Sequence, residues 1–239
     1  MAPVEENGSF WVFDTSVSEW SLVSPDTAPP YPAARSYHCL ASDGDDRIYV
    51  HAGCPEKGRL SDLWCFQVSE RNWTELASAP EPPRGGTSIA FGGGLLYRMN
   101  GFDGKTEQGG SLDIYDPNAN AWNTRSFSPD GMSGPTPRSV GTLLFLNIRD
   151  KSSLVTLFGE RDPSSLGHQG AGKMTSDVWV YNIESQGWSE VKTLGDSKPP
   201  GRGWFAADVL RRSTEGQIVV QGGLAETTGR LDDIWTLDF

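Results

Sequence analysis

At 239 residues, with a net charge of −11 and a pI near 4.7, the chain has the size of one all-β domain. Its basic residues are spread out, which argues against a phosphate-tracking surface and so against nucleic acid as a partner. Cys39, Cys54 and Cys65 are an odd number with neither metal-ribbon nor CxxC spacing, and the first residues carry no basic or apolar signal region. With no run long enough to span a bilayer, a cytoplasmic, reduced setting without a membrane partner is expected.

The first apolar stretches, Phe10-Trp11-Val12-Phe13-Asp14 and Trp20-Ser21-Leu22-Val23, read as two strands of an incomplete unit over about 9–34. A full unit follows over 35–83. It opens at Arg35-Ser36-Tyr37-His38 and runs through Arg47–His51, a loop from Gly53 to Arg59, Leu60–Phe66, and a closing Trp73-Thr74-Glu75-Leu76. Each strand is short and bounded by turn residues, with no helical period between them. Trp64 and Trp73 stand nine apart, as do Trp11 and Trp20, so the first pair matches the third and fourth strands of this module.

The same order returns from Arg84 (84–137), from Arg138 (138–201) and from Arg202, where the unit over 202–239 stops before a fourth strand. The opening arginines lie 49, 54 and 64 residues apart, close to the roughly 50-residue period of kelch-type propeller blades. The expected fold is therefore an all-β propeller of four to five four-stranded antiparallel blades, one domain over 1–239, with seventeen strands and incomplete first and last units. Seventeen strands do not fill four-stranded blades. The N-terminal pair is accordingly expected against the last blade, closing an irregular ring or leaving an open edge that makes a homodimer possible.

In such blades the loop between strands two and three shares one end with the blade's opening. That end collects Arg35, Arg84, Arg138 and Arg202, His38, Trp204, and the loops Gly53–Arg59, Gly101–Gly110 with its Phe102, Gly159–Lys173 and Gly223–Arg230. A propeller binds at the mouth of its channel. The Gly159–Lys173 loop is long for a tight repeat, which marks it as a functional candidate.

Ala33-Ala34-Arg35-Ser36-Tyr37-His38, Arg84-Gly85-Gly86, Pro137-Arg138-Ser139-Val140, Phe158-Gly159-Glu160, Gly167-His168 and Gly201-Arg202-Gly203-Trp204 resemble the plant specifier proteins, the epithiospecifier, nitrile-specifier and thiocyanate-forming proteins. The resemblance runs in order from about Ser9 to Phe239. It implies a six-bladed parent shape shortened at the front, and handling of reactive glucosinolate aglycones with ferrous iron. The family's Glu-x-x-x-Asp-x-x-x-His iron pattern falls on Glu160 and His168, with Ser164 at the middle place and Asp162 two residues earlier. Serine is a poor donor for divalent iron, so iron binding is expected to be weak or absent.

Each candidate has two readings. The arginines either bond neighbouring loop groups, the better reading for any one of them, or ring the channel mouth as anion-binding donors. His38 and His51 read as packed repeat residues, whereas Glu160, His168 and Trp204 read as the catalytic set, with Arg35, Arg84, Arg138, Arg202, His38 and Phe102 binding the ligand. Two functions stay open. One is a non-redox small-molecule enzyme or product-steering protein promoting rearrangement, cleavage or cyclisation, cycloaddition included. The other is an interaction module holding a peptide or protein at the same face.

Overall fold

In the computed structural model, which describes residues 3–165, 170–195, 197–210 and 216–239, the chain is all-β, with four antiparallel blades arranged as a β-propeller. No helix is long and apolar enough to cross a membrane among these residues. The strands are short because glycine, proline and Asx turns punctuate them. Their middles are β-branched and aromatic, which suits pleated sheets packed on both faces.

Strands β1 (Phe10–Asp14) and β2 (Glu19–Val23) form a hairpin. Blade one is β3 (Cys39–Ser42), β4 (Arg47–Gly53), β5 (Leu60–Gln67) and β6 (Asn72–Leu76). Blade two is β7 (Ser88–Gly92), β8 (Leu95–Met99), β9 (Ser111–Asp116) and β10 (Ala121–Ser126). Blade three uses β11 (Thr142–Ile148), β12 (Lys151–Leu157), β15 (Val178–Asn182) and β16 (Gly187–Glu190). Its long loop is clipped at the base by β13 (Glu160–Arg161) paired with β14 (Lys173–Met174). The last blade has three strands, β17 (Ala206–Val209), β18 (Gln217–Leu224) and β19 (Arg230–Asp238). The seventeen expected strands are all present, and β13 and β14 are added to them.

The outer strand of each full blade is fixed by one cross-strand aromatic pair: Phe66 with Trp73, Tyr115 with Trp122, and Tyr181 with Trp188, at 5.0, 5.1 and 5.0 Å between ring centroids. Such pairs contribute about 0.5–1.5 kcal/mol beyond the area they bury. The outer tryptophan also ties its blade to the unit before it. Trp122 Nε1 donates to Ala77 O at 2.7 Å, and Trp73 Nε1 donates to Gly8 O at 2.8 Å. The blades are further joined through three apolar clusters: Tyr49, Leu63 and Tyr115 between blades one and two, Met99, Leu112 and Leu154 between two and three, and Leu157, Ile218 and Val220 between three and the last.

The hairpin does not sit where the strand count placed it. It packs on blade one, with Phe10 4.8 Å from Phe66 and Asp26 N donating to Arg71 O, and not against the last blade. The physical reason is that Phe66 and Trp73 present an aromatic face to the preceding unit, and the hairpin supplies the matching side. The outward face of the last blade is left to solvent.

Strand two ends the same way in every blade. Ala52-Gly53, Asn100-Gly101, Phe158-Gly159 and Gly222-Gly223 all have two successive positive φ values, and the second is always glycine at +105 to +114°. A side chain at Gly53 would lie 2.7 Å from Ser36 O, and one at Gly159 would lie 2.8 Å from Ser139 O, so the close approach of the blade's opening segment excludes it. This kink pairs Ser36 with Cys54, Gly85 with Phe102, Ser139 with Glu160 and Gly203 with Leu224, bringing each opening beside its own loop.

Candidate functional site

The opening arginines are pinned inside the blades. Arg35 makes a bidentate pair with Asp62 at 2.6 and 2.8 Å, Arg138 with Asp177 at 2.7 and 2.8 Å, and Arg202 with Asp233 at 2.6 and 2.9 Å. The same carboxylates accept the indole N–H of Trp64, Trp179 and Trp235. Each Nε donates to the carbonyl two residues earlier, at Ala33, Pro82, Thr136 and Pro200, and each Nη1 to the kinked end of strand two. With Arg138 and Arg202 at 0 % exposure and Arg84 at 2 %, these guanidiniums are committed to hydrogen bonds within the blades.

Blade two departs from the scheme. Ser111 stands where the other blades have the aspartate and Asp113 where they have the tryptophan. Arg84 bonds only backbone carbonyls, of Pro82 and Asn100, while the Asp113 carboxylate is taken by Arg98 from β8 at 3.2 Å. Burial, with Arg84 alongside, pulls the Arg98 guanidinium down to about 10.

Two residues beyond each arginine, Tyr37, Gly86, Val140 and Trp204 all take left-handed backbone conformations, with φ between +47 and +61°. Their amides chain the blades together: Gly86 N donates to Tyr37 O, Val140 N to Gly86 O and Trp204 N to Val140 O, at 2.9, 2.8 and 3.0 Å. Below this arc lies a trough of about 280 Å³ bordered by Tyr37, His38, Thr87, Val140, Trp204 and Phe205. Trp204 and His38 therefore line one site. Desolvation first, and the Arg35 charge second, hold the His38 imidazole below the usual histidine range. His51 is instead fully buried, its Nδ1 2.7 Å from Asp62 O, as a packing residue.

The loops assemble a second group, which sequence reasoning missed in part. Glu107 Oε1 accepts a hydrogen bond from Ser139 Oγ at 3.1 Å, one residue from Val140. Its Oε2 is buried with no hydrogen-bond partner among the described residues. Burial pushes this carboxyl up to about 8; the Ser139 bond opposes that rise, and the nearby Glu160 and Asp103 charges add to it. Glu160 itself is buried and accepts the Gly172 N–H at 2.6 Å. Arg59 lies over the Phe102 ring, 5.1 Å from its centroid, its Nε buried without a partner among the described residues and its charge acting on Glu107. Nothing in the sequence separates Glu107 from other loop acids, because its burial depends on loops from blades one to three.

Of the expected iron ligands, Glu160 is turned into the loop base, Asp162 is exposed, and His168 lies outside the described residues. Among the described residues no three His, Cys, Asp or Glu side chains converge on a point.

A family model described as the KLHDC2/KLHL20/DRC7 Kelch-repeats domain matches residues 4–159. The chain belongs to this Kelch-repeat family. This kelch chain is also similar to the N-(sulfonatooxy)prop-2-enimidothioate sulfolyase of Thlaspi arvense. They are 24% identical over 249 residues, covering 95% of the chain and 68% of the relative. It is similar to Host cell factor 2 of Homo sapiens, 26% identical over 216 residues, 83% of the chain and 26% of that protein. The flagellar outer-arm dynein alpha chain of Chlamydomonas reinhardtii is 23% identical over 195 residues, 78% of the chain and 4% of its own length.

Proposed function

We propose that this kelch propeller handles a small reactive metabolite at its channel mouth and steers it through rearrangement, cleavage or cyclisation, without a redox cofactor. The observation that carries this reading is Glu107, a carboxyl held in its neutral form around pH 7 beside a second acid, Glu160, and bonded to Ser139, the chain neighbour of the trough residue Val140. A neutral carboxyl whose Oε2 has no partner of its own is equipped to hand a proton to a leaving group or to a developing oxyanion. Arg59, spread on Phe102, supplies the cation that the buried arginines cannot. The similarity to a sulfolyase supports an anionic, leaving-group-bearing substrate class. Three free cysteines support a reducing, cytoplasmic setting.

The test is turnover of candidate metabolites by the parent chain, Glu107→Gln and Trp204→Ala. Loss in both variants with unchanged melting is expected, together with a parent rate that falls as pH rises through about 8, where the proton leaves Glu107. Full activity of Glu107→Gln would sink the assignment.

A second reading rests on the family match over residues 4–159, which holds the Gly53–Arg59 and Gly101–Gly110 loops, and on the similarity to Host cell factor 2. In it the same face holds a peptide or protein partner. Alanine variants would then spread their losses over both loops, leaving Trp204 and Glu107 no more important than their neighbours.

A further inference from the structure

The two ends of the blade array differ in chemistry. On the last blade, the side turned away from blade three presents Asp208, Gln221, Asp232, Thr236 and Asp238 around Ala206, Val219 and Ile234. That is a largely polar face, suited to water. The hairpin end is the reverse. One face, with Phe10, lies on blade one, and strand alternation puts Trp11, Phe13, Trp20 and Leu22 on the other face, at 59%, 43%, 65% and 53% exposure. Phe13 and Trp20 form the same pair as Phe66 and Trp73, with centroids 5.0 Å apart, but no blade covers them.

We propose that this aromatic face is the interface of a two-fold homodimer, packed against the same face of a second copy. Four large side chains so exposed offer roughly 500 Å² of apolar surface per copy, or about 1,000 Å² in a pair, which reaches the lower bound for a specific interface. The last blade does not fit as the occupant, because its aspartates would be desolvated against indole rings. A self-complementary surface closes after one rotation and does not grow into a fibre.

Charge and shape set the orientation. Asp14 and Glu19 face each other at the hairpin tip, so two hairpins crossing antiparallel keep the four carboxylates at opposite ends. That crossing also brings Trp20 of one copy to the base of the other, where Trp11, Leu22, Pro25 and Tyr31, with Glu6 and Ser9 at its side, border a groove of about 470 Å³. Trp20 is the side chain that fills it.

Sedimentation of the full chain over a micromolar concentration series tests the proposal. A monomer–dimer equilibrium is expected, weakened roughly tenfold or more by Trp20→Ser and by Leu22→Asp, and unchanged by Ile234→Ser on the last blade. Melting curves run beside each variant separate lost association from lost folding. A parent chain that stays monomeric throughout the series overturns the proposal. So does a dimer that survives both hairpin substitutions, or one that Ile234→Ser abolishes.

Discussion

Arg98 and Asp113 show how much depends on one pair inside a blade. Their side chains are 0% and 2% exposed, and Arg98 also donates to Pro80 O. Asp113→Ala would leave a buried guanidinium without its carboxylate and is expected to lower stability by about 3–5 kcal/mol in denaturant titration. Asp233→Ala breaks a pair whose carboxylate is 30% exposed, and a visibly smaller loss is expected. Glu107 works in the opposite sense. Burial raises its carboxyl to about 8 in the folded chain, from the ordinary 4.5 of an unburied glutamate, so the chain sheds stability as pH rises through that window. Glu107→Gln cannot ionise, and it is expected to flatten this fall and to melt higher than the parent at pH 8. The four arginines were legible in the sequence. That Arg35, Arg138 and Arg202 take the aspartates 27, 39 and 31 residues downstream was not, because only the folded blade brings the start of strand three beside the opening segment.

At the scale of elements, strand period and turn residues gave nearly every strand, while the seating of the hairpin escaped the count because face chemistry, not strand number, decides it. The hairpin covers Phe66, which is fully buried, and accepts the Trp73 indole N–H at Gly8. Deleting residues 1–23 is therefore expected to uncover that ring and to produce early melting or aggregation in a thermal scan; a deletion variant that melts like the parent would contradict the seating. Contact between blades two and three is as tight. A side chain at Gly92 would meet the Phe145 ring at 2.0 Å, so Gly92→Ala is expected to destabilise by about 1–3 kcal/mol. In the long loop, Ser164 stands at the middle place of the acid pattern. Ser164→Asp is expected to raise ferrous iron affinity over a weak parent in anaerobic calorimetry, and tight binding by the parent would show that another donor serves.

For the whole molecule, the arc of left-handed residues separates what holds the blades from what lines the trough. The links between neighbouring blades at Tyr37, Gly86, Val140 and Trp204 run through backbone N–H and C=O groups. The side chains at these four equivalent places belong to four different kinds: a phenol, none at all, a branched aliphatic and an indole. The lining of the trough is thereby released from the duty of joining the blades. Selection, or a combinatorial library built at these positions, can rewrite ligand preference while the frame beneath stays constant, and a propeller of this build diversifies its chemistry without first having to relearn how to fold.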